Sequence, residues 1–435
     1  MSLFKVNNTR ALQYFQVIRF LGMFTIGIAM VKLSLSNKQI GYYELVLFIS
    51  SVLSMFWITG IIQTLLPLFG ASASNEKPRF IFNAFLVVLG YAIVTFLLGL
   101  FFRVPLSNLL GFKNFPFYTL ALVYLALNSI ASLVEYIYLL HNEAKKIVVY
   151  GAAVFGFQIL CVIAPLFVRL DVYYSVAGLL LATFVRVAWL LALLFRYSTF
   201  KFDKAIFKKL FSSSLPLSLK YLVSSSGVYI DQAIVTGFFD SSTFAVYRFG
   251  AREIPLVTLL TVGLSNSLMP EIGNPSALKV SLEKLKVESR KLMHLLFPIS
   301  MIAILLSKPL FPLIFSSDFA DSAKIFAIYS LLIVSRSIFP QTVTMGLNRT
   351  KVILLASIVE MLLNILLSLF LIRYWGIEGV AMATVIVYLA EKVFLAAYNK
   401  FYLKISPSEY IALKPYFIYS LLILTVYTCV RFALF

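Results

Sequence analysis

The chain has 435 residues, of which 61% are hydrophobic and only 13% are charged, whereas an average soluble domain is about 45–50% apolar and about 25% charged. This excess of apolar residues excludes an ordinary soluble protein. The net charge of +19 would favour a nucleic-acid partner in a soluble protein, but in a membrane protein Lys and Arg collect in cytoplasmic loops, so we expect no nucleic-acid partner.

Apolar runs of about 20 residues, the length that a helix needs to cross a bilayer, recur from one end of the chain to the other. Helices are predicted because these runs lack the alternating pattern of barrel strands and because backbone polar groups in lipid must pair internally. We predict thirteen spans, at residues 11–31, 42–69, 80–102, 116–140, 147–169, 174–195, 214–238, 242–269, 289–307, 323–345, 351–373, 377–399 and 413–433.

The segments between the predicted spans carry an asymmetric charge. Counted from an inside N-terminus, with basic residues at the ends of the spans included and Lys32 left out, the inside segments hold 21 basic residues and the outside segments hold 8. The positive-inside rule therefore predicts a cytoplasmic N-terminus and an outer C-terminus.

The longest basic loop, from Arg196 to about Ser213, separates the first six predicted spans from the next six. Tyr43 and Tyr247 occupy similar places in the two halves, 204 residues apart, and the Ala-Thr pairs at 182–183 and 383–384 are 201 residues apart. These offsets indicate a parallel repeat, with chance similarity as the alternative. We predict lobes at residues 1–200 and 201–400 and an additional helix at 401–435.

Basic side chains inside the predicted spans are candidate binding residues, because each costs at least about 2.5–3.5 kcal/mol on insertion. Guanidinium groups bind phosphate oxygens with two parallel hydrogen bonds, so we predict a water-filled cavity for a pyrophosphate head group. Arg19 and Arg336 have no obvious acidic neighbour, whereas Asp231 and Arg248 lie at matching depth and could pair instead. The predicted head-group contacts are Arg19, Lys220, Arg248, Arg252 and Arg336.

Oxygen-bearing side chains in the second half form a candidate cation site. Glu360 and Asn364 are four residues apart and share one helix face near mid-membrane, and Asp231 and Thr384 would complete an all-oxygen site. No Walker-type phosphate loop is present, so we predict coupling to Na⁺ or H⁺ and no other cofactor. The alternative is that Glu360 is a protonated, hydrogen-bonded carboxyl.

Four segments, within a similarity that covers about residues 8–400, resemble the Wzx-type polysaccharide flippases of the multidrug/oligosaccharidyl-lipid/polysaccharide exporter superfamily. They are IGYYELVLFISSVLSMF, SLPLSLKYLVSSSGVYIDQAIVTGFF, FAVYRFGAREIPLVTLLTVGLSNSLMPEI and GIEGVAMATVIVYLAEK. The resemblance implies an all-α integral membrane protein with two pseudo-symmetric six-helix lobes that form a V, like multidrug exporters, plus a thirteenth helix that departs from the usual twelve or fourteen.

The resemblance also implies a function. Wzx-type proteins flip an undecaprenyl-pyrophosphate-linked oligosaccharide, such as an O-antigen repeat unit, from the cytoplasmic to the periplasmic leaflet of a bacterial inner membrane by alternating access. The expected partners are this lipid-linked anionic saccharide, membrane lipids and other membrane proteins of glycan assembly. The predicted cation site resembles that of lipid II flippase relatives, which also uses helices seven, eleven and twelve, with the acidic and amide positions of helix eleven in the opposite order.

Two other functions stay open at this point. A multidrug exporter of the same fold would need an acidic, cation-accepting cavity, and the excess of arginine argues against it. A membrane glycan polymerase or ligase would need a large outer loop for its catalytic residues, and no predicted loop has that length. We therefore expect a transporter and not an enzyme.

Overall fold

The computed structural model describes residues 8–33, 35–109, 115–273 and 276–433. Every regular element within these ranges is a helix. Nine helices of the described chain are long and apolar enough to cross a membrane, and a bent helix pair at residues 317–346 would be a tenth. The predicted all-α membrane fold is therefore confirmed.

The chain divides into two compact units, and the first contains the residues up to Ser225 together with Phe239–Ala245. Its core packs Trp57, Phe80 and Tyr150 between helices, and Phe15 of the first helix lies against Gly151, where an added Cβ would come within 2.7 Å of the ring. Its helices are α1 (Asn8–Lys32), α2 (Asn37–Ala71), α3 (Lys77–Phe101), α4 (Arg103–Leu109), α5 (Tyr118–Ala131), α6 (Val134–Leu140), α7 (Ala144–Phe167), α8 (Val172–Tyr197) and the first part of α9 (Lys204–Phe238).

The second unit contains Ser226–Phe238 and the residues from Val246 onward. Its helices are the last part of α9, the second half of α10 (Ser241–Gly250), whose first half belongs to the first unit, α11 (Pro255–Ile272), α12 (Leu278–Ile314), α13 (Ala320–Ser330), α14 (Ile333–Arg336), α15 (Pro340–Gly346), α16 (Thr350–Phe401), α17 (Pro407–Tyr410) and α18 (Leu413–Ala433). The two lobes predicted from the sequence repeat, at 1–200 and 201–400, remain a prediction. By packing, the start of α9 lies in the first unit, since Phe211 contacts the ring of Tyr91 at 5.5 Å.

Three predicted spans are made of shorter helices, and the first of them, at 116–140, consists of α5 and α6. The span at 242–269 consists of α10 and α11, and the span at 323–345 consists of α13, α14 and α15, with a bend of 46° before α15. Pro255 and Pro340 each lie in the first turn of a new helix. A proline is tolerated there, because the backbone N–H that it lacks has no partner within the helix, whereas in the interior of a helix it would interrupt the hydrogen bonding. Broken helices at membrane depth are typical of transporter binding sites.

Helix α16 contains two predicted spans, 351–373 and 377–399, and changes direction between them. Its 52 residues would extend roughly 78 Å as one straight helix at about 1.5 Å per residue, far more than the ~30 Å of a hydrocarbon layer. Gly376 has φ 53° and ψ −133°, which is not helical. Contacts agree with a reversal, because Asn399 at the end of α16 bonds Thr344 of α15, just before α16 begins, at 2.8 Å.

The thirteenth predicted span is α18, which packs along α12 in the same direction. Near its start, Tyr419 stacks on Phe297 of α12 at 5.3 Å between ring centroids. Near its end, Arg431 forms an ion pair with Glu378 at 3.2 Å, and both line a cavity with Lys324, which follows α12 in the chain. The ends of α18 therefore lie at opposite ends of the second unit, as a crossing helix requires.

Candidate functional site

Arg19 lies near the middle of α1 and is exposed. It is close enough to the carboxylate of Glu135 in α6 to interact with it electrostatically, yet within the described part of the chain it makes no hydrogen bond or ion pair. A guanidinium at this depth needs water, an anion or a protein partner. Arg19 is thus a cation that is accessible to an anionic ligand.

Two arginines lie around the break between α10 and α11. Arg248, in the last turn of α10, donates a hydrogen bond to the side-chain oxygen of Gln232. Arg252 follows α10, and its guanidinium lies over the ring of Phe249 at 4.9 Å. Both side chains are half-buried. Two cations thus lie on either side of the end of α10, and Arg252 does not share a helix face with Arg248, because α10 ends at Gly250.

Arg336 does have an acidic partner, so the expectation that none lies nearby is wrong. Its guanidinium binds Glu253 with two hydrogen bonds, from Nη2 at 2.6 Å and from Nε at 3.1 Å. The hydroxyl of Thr258 also donates to Glu253 at 3.1 Å, and the ring of Tyr388 lies 5.1 Å from the guanidinium of Arg336. Glu253 precedes the first turn of α11, so the ion pair joins the breaks of two helices.

Asp231 of α9 is buried and bonded to two tyrosines. Its carboxylate accepts hydrogen bonds from the hydroxyl of Tyr247 at 2.9 Å, from the hydroxyl of Tyr329, and from the backbone N–H of Gln232 at 2.8 Å. The alternative pairing of Asp231 with Arg248 does not occur between these two described residues. Sequence reasoning placed Asp231 at a functional depth but missed the tyrosines, which are 16 and 98 residues away.

The structure brings two of the four predicted cation ligands into contact. The amide of Asn364 donates to the hydroxyl of Thr384 at 3.2 Å, across the two halves of α16. Glu360 lies one turn before Asn364, and its buried Oε1 has no hydrogen-bond partner among the described residues. Asp231 contacts none of these three residues in the described part of the chain, since its carboxylate is bound to tyrosines.

Lys220 is the fifth predicted head-group contact. Lys220 lies within α9, but its side chain is outside the described residues. No group of three or more His, Cys, Asp or Glu side chains in the described ranges could hold a metal ion. A cation bound near Glu360 would therefore need amide and hydroxyl oxygens as well as the carboxylate, which is compatible with Na⁺ or a proton.

Comparison with solved structures identifies the fold. A lipid II flippase MurJ in an inward closed conformation is 17% identical, with a TM-score of 0.68, 97% of this chain covered and 93% of that chain. A transporter of the same exporter superfamily from Pyrococcus furiosus is 14% identical (TM-score 0.54, 92% and 96% covered). A Vibrio cholerae MATE transporter is 12% identical (TM-score 0.56, 94% and 99% covered).

Comparison with models of protein families identifies the family as well as the fold. No curated protein matches the chain. The family model described as lipid II flippase MurJ, however, matches residues 50–435. This family lies in the superfamily expected from the sequence, while the narrower Wzx-type assignment stays a prediction. Since the match extends from α2 through α18, and thus covers both units, the chain belongs to the MurJ lipid II flippase family.

Proposed function

We propose that this protein flips a lipid-linked saccharide with an undecaprenyl-pyrophosphate anchor from the cytoplasmic to the outer leaflet of a bacterial inner membrane. The observation that carries the proposal is Arg19, an exposed mid-helix cation without a protein partner among the described residues, in a chain of the MurJ family. A pyrophosphate would supply the missing counter-charge through two parallel hydrogen bonds. The reaction class is transport by alternating access, and we propose no catalytic role.

The identity of the saccharide is a separate part of the proposal. Membership of the MurJ family favours a lipid II-type peptidoglycan precursor as cargo. The sequence segments favour an O-antigen-type repeat unit, which carries the same pyrophosphate and differs in what is attached to it. The predicted arginine contacts concern the shared head group, so they hold for both cargos.

The head-group contacts fall into two kinds. Arg19 and the pair Arg248 and Arg252 are cations at or beside exposed or broken helix segments, and they remain the first proposed contacts together with Lys220. Arg336 differs from Arg19 because Glu253 already occupies the guanidinium of Arg336 with two hydrogen bonds. We propose that a pyrophosphate binds Arg336 only by displacing Glu253. A ligand with two negative charges competes well with the single carboxylate of Glu253 for the guanidinium.

Energy coupling is proposed to use the oxygens around Glu360. Asn364 and Thr384 are already in contact, and Glu360 offers a buried oxygen one turn away. Asp231 would join such a site only after its bonds to Tyr247 and Tyr329 break. Na⁺ would use these oxygens as ligands, and a proton would bind Glu360 directly.

Export of cationic drugs is the second candidate, and one observation favours it. Among the described residues that are buried, five charged side chains are acidic and two are basic, the acidic ones being Glu44, Glu135, Asp231, Glu360 and Glu391. Buried acidic groups suit a cationic substrate. The proposed flippase function nevertheless rests on the more exposed arginines, which would repel such a substrate.

A flipping assay in proteoliposomes tests the proposal. Fluorescent lipid II-type and O-antigen-type lipids are incorporated, and their accessibility to a membrane-impermeant quencher is followed over time. We expect flipping of at least one lipid by the wild type and a loss of about tenfold or more in Arg19→Ala, because a charge-assisted contact is worth about 1.5–3 kcal/mol. Arg103→Ala, a change at the exposed first residue of α4, is the control.

Three outcomes are informative. Flipping of only one lipid assigns the saccharide. Flipping of neither lipid, together with uptake of a cationic dye, would replace the proposal with drug export. An Arg19→Ala variant that flips at the wild-type rate would show that Arg19 does not bind the head group.

A further inference from the structure

Glu135 is a buried carboxyl group that neither the proposed head-group site nor the proposed cation site uses. It lies in the first turn of α6, directly after the break that separates α6 from α5. Its side chain is 4% exposed, and its Oε2 has no hydrogen-bond partner among the described residues. Buried polar atoms in native proteins are almost always paired, so this oxygen requires an explanation.

The obvious partner, Arg186 of α8, is bound elsewhere. Its Nη1 donates to the amide oxygen of Asn128 at 2.8 Å, its Nε donates to the hydroxyl of Tyr150 at 3.3 Å, and its guanidinium lies 5.5 Å from the ring centre of Phe155. Arg186 is itself buried, at 5% exposure. A buried arginine thus bonds two neutral acceptors while a buried carboxyl within its electrostatic range forms no ion pair with it.

This arrangement is stable only if the carboxyl is neutral. A buried, ionised carboxylate with an unpaired oxygen costs far more than one paired with a guanidinium, so an ionised Glu135 would draw Arg186 away from Asn128. A bound metal ion is a poor explanation, because two cations, Arg186 of α8 and Arg19 of α1, lie within electrostatic range of Glu135. Among the described residues, the other titratable groups that interact with Glu135 are Tyr150 of α7 and Tyr136 of α6 itself.

We propose that Glu135 is a proton-binding site of the first unit. In the arrangement described here an O–H bond on the carboxyl group neutralises Glu135, and Arg186 is held by Asn128 and Tyr150. When the proton leaves to water, Glu135 becomes a carboxylate and takes Arg186 or Arg19 as its ion-pair partner. The proton comes from water and returns to water, so the step needs no other reactant.

Proton binding changes the charge beside the proposed head-group site. Glu135, Arg19 and Arg186 together carry +1 when Glu135 is ionised and +2 when it is protonated. An anion bound at Arg19 therefore favours the protonated form, and by linkage the proton favours the anion. This consequence rests on the proposed function, whereas the proton site itself does not.

Infrared spectroscopy tests the proton site directly. A protonated carboxyl group has a C=O stretching band that a carboxylate lacks, so we expect Glu135→Gln to remove one such band at neutral pH. The measurement is made in a Glu360→Gln background, because Glu360 also has an unpaired buried oxygen. Glu135→Asp should shift the band without removing it, which separates loss of the carboxyl from a folding defect.

Glu143 provides the matched control in the same unit. It lies before α7, outside the predicted spans, and accepts hydrogen bonds from Lys146 at 2.6 Å and Tyr197 at 2.7 Å. Slight burial raises the pKa of Glu143, but these hydrogen bonds lower it by more, so its pKa lies below the ordinary value. Glu143→Gln should leave the band unchanged. Spectra of the wild type and of both Glu135 variants that coincide at neutral pH would overturn the proposal.

Binding of farnesyl pyrophosphate tests the linked consequence. We expect its affinity for the wild type to fall as pH rises, and the affinity of Glu135→Gln to be less dependent on pH. A band that Glu135→Gln removes, together with no binding of farnesyl pyrophosphate, would leave the proton site standing and count against the proposed function. The reverse result, with pH-dependent binding that Glu135→Gln leaves unchanged and no band assigned to Glu135, would remove the proton site alone.

Discussion

At the scale of single residues, the ion pair between Arg336 and Glu253 determines whether Arg336 can bind an anion. The two residues are 83 positions apart in the chain and meet at breaks in two helices. Both side chains are about one quarter exposed, so water and small ions can reach them. Glu253 occupies the guanidinium in the same geometry that a phosphate would use.

We therefore expect Glu253→Gln to bind farnesyl pyrophosphate about tenfold more tightly than the wild type, since a neutral amide competes less well for a guanidinium. Arg336→Ala should weaken binding, and the double variant should behave like Arg336→Ala. Dissociation constants measured in detergent provide the test. Glu271→Gln is the control, because Glu271 pairs with Lys284 at an exposed position. Equal weakening by Glu253→Gln and Arg336→Ala would show that the pair has only a structural role.

A second prediction concerns the oxygens beside Glu360. Thr384→Val removes the hydroxyl that accepts from Asn364 while keeping the side-chain shape. It should lower transport and reduce its dependence on Na⁺ or on pH, because one ligand of the cation is lost. Thr64→Val is the control, because it makes the same change at a buried threonine of the first unit. Wild-type transport and ion dependence in Thr384→Val, Glu360→Gln and Asn364→Leu would rule out this site.

The sequence predicts the depth of a charged residue better than its partner. Arg19, Asp231 and Arg336 were all identified as intramembrane charges, because an ionisable residue within an apolar run is visible in the sequence. Their partners were not identified, since Glu253 and Tyr329 belong to distant segments of the chain. Which side chain pairs with a charged residue depends on how the helices pack, and the apolar periodicity of the sequence does not predict that packing.

At the scale of helices, most of the thirteen predicted spans correspond to helices of the structure. Hydropathy finds them because each run must cover the same thickness of hydrocarbon. It does not find the interruptions at 251–254 and 337–339, since hydropathy averages over a whole window. Pro255 and Pro340 were the local signals for these breaks, because proline favours the first turn of a helix over its interior.

The reversal in α16 gives a prediction about stability. Gly376 has φ 53° and ψ −133°, a combination that costs a residue with a Cβ about 1–3 kcal/mol. Gly376→Ala should lower the melting temperature by several degrees. Gly90→Ala is the control, because Gly90 is helical and an added Cβ there would meet nothing within 4 Å. Equal melting temperatures for the two variants, measured at one heating rate in detergent, would show that Gly376 is not strained.

At the scale of the whole molecule, the orientation in the membrane remains a prediction from the 21-to-8 charge bias. In a variant without the two free cysteines, Cys161 and Cys429, single cysteines are placed at Lys204 and Lys38. A membrane-impermeant thiol reagent applied to spheroplasts should label the cysteine at position 38 and not the one at 204. Labelling at 204 with protection at 38 would show the opposite orientation.

The parallel course of α12 and α18 determines where a reporter domain fused to the protein would be. Between them the chain crosses once through α13–α15 and twice through α16, because α16 reverses at Gly376. With the thirteen predicted spans the number of crossings is odd, so we expect α1 to begin and α18 to end on opposite sides of the membrane. We therefore expect that halves of a split fluorescent protein attached to the two ends do not complement each other within one molecule. With the predicted cytoplasmic N-terminus, a domain fused after α18 is expected to fold outside the cytoplasm.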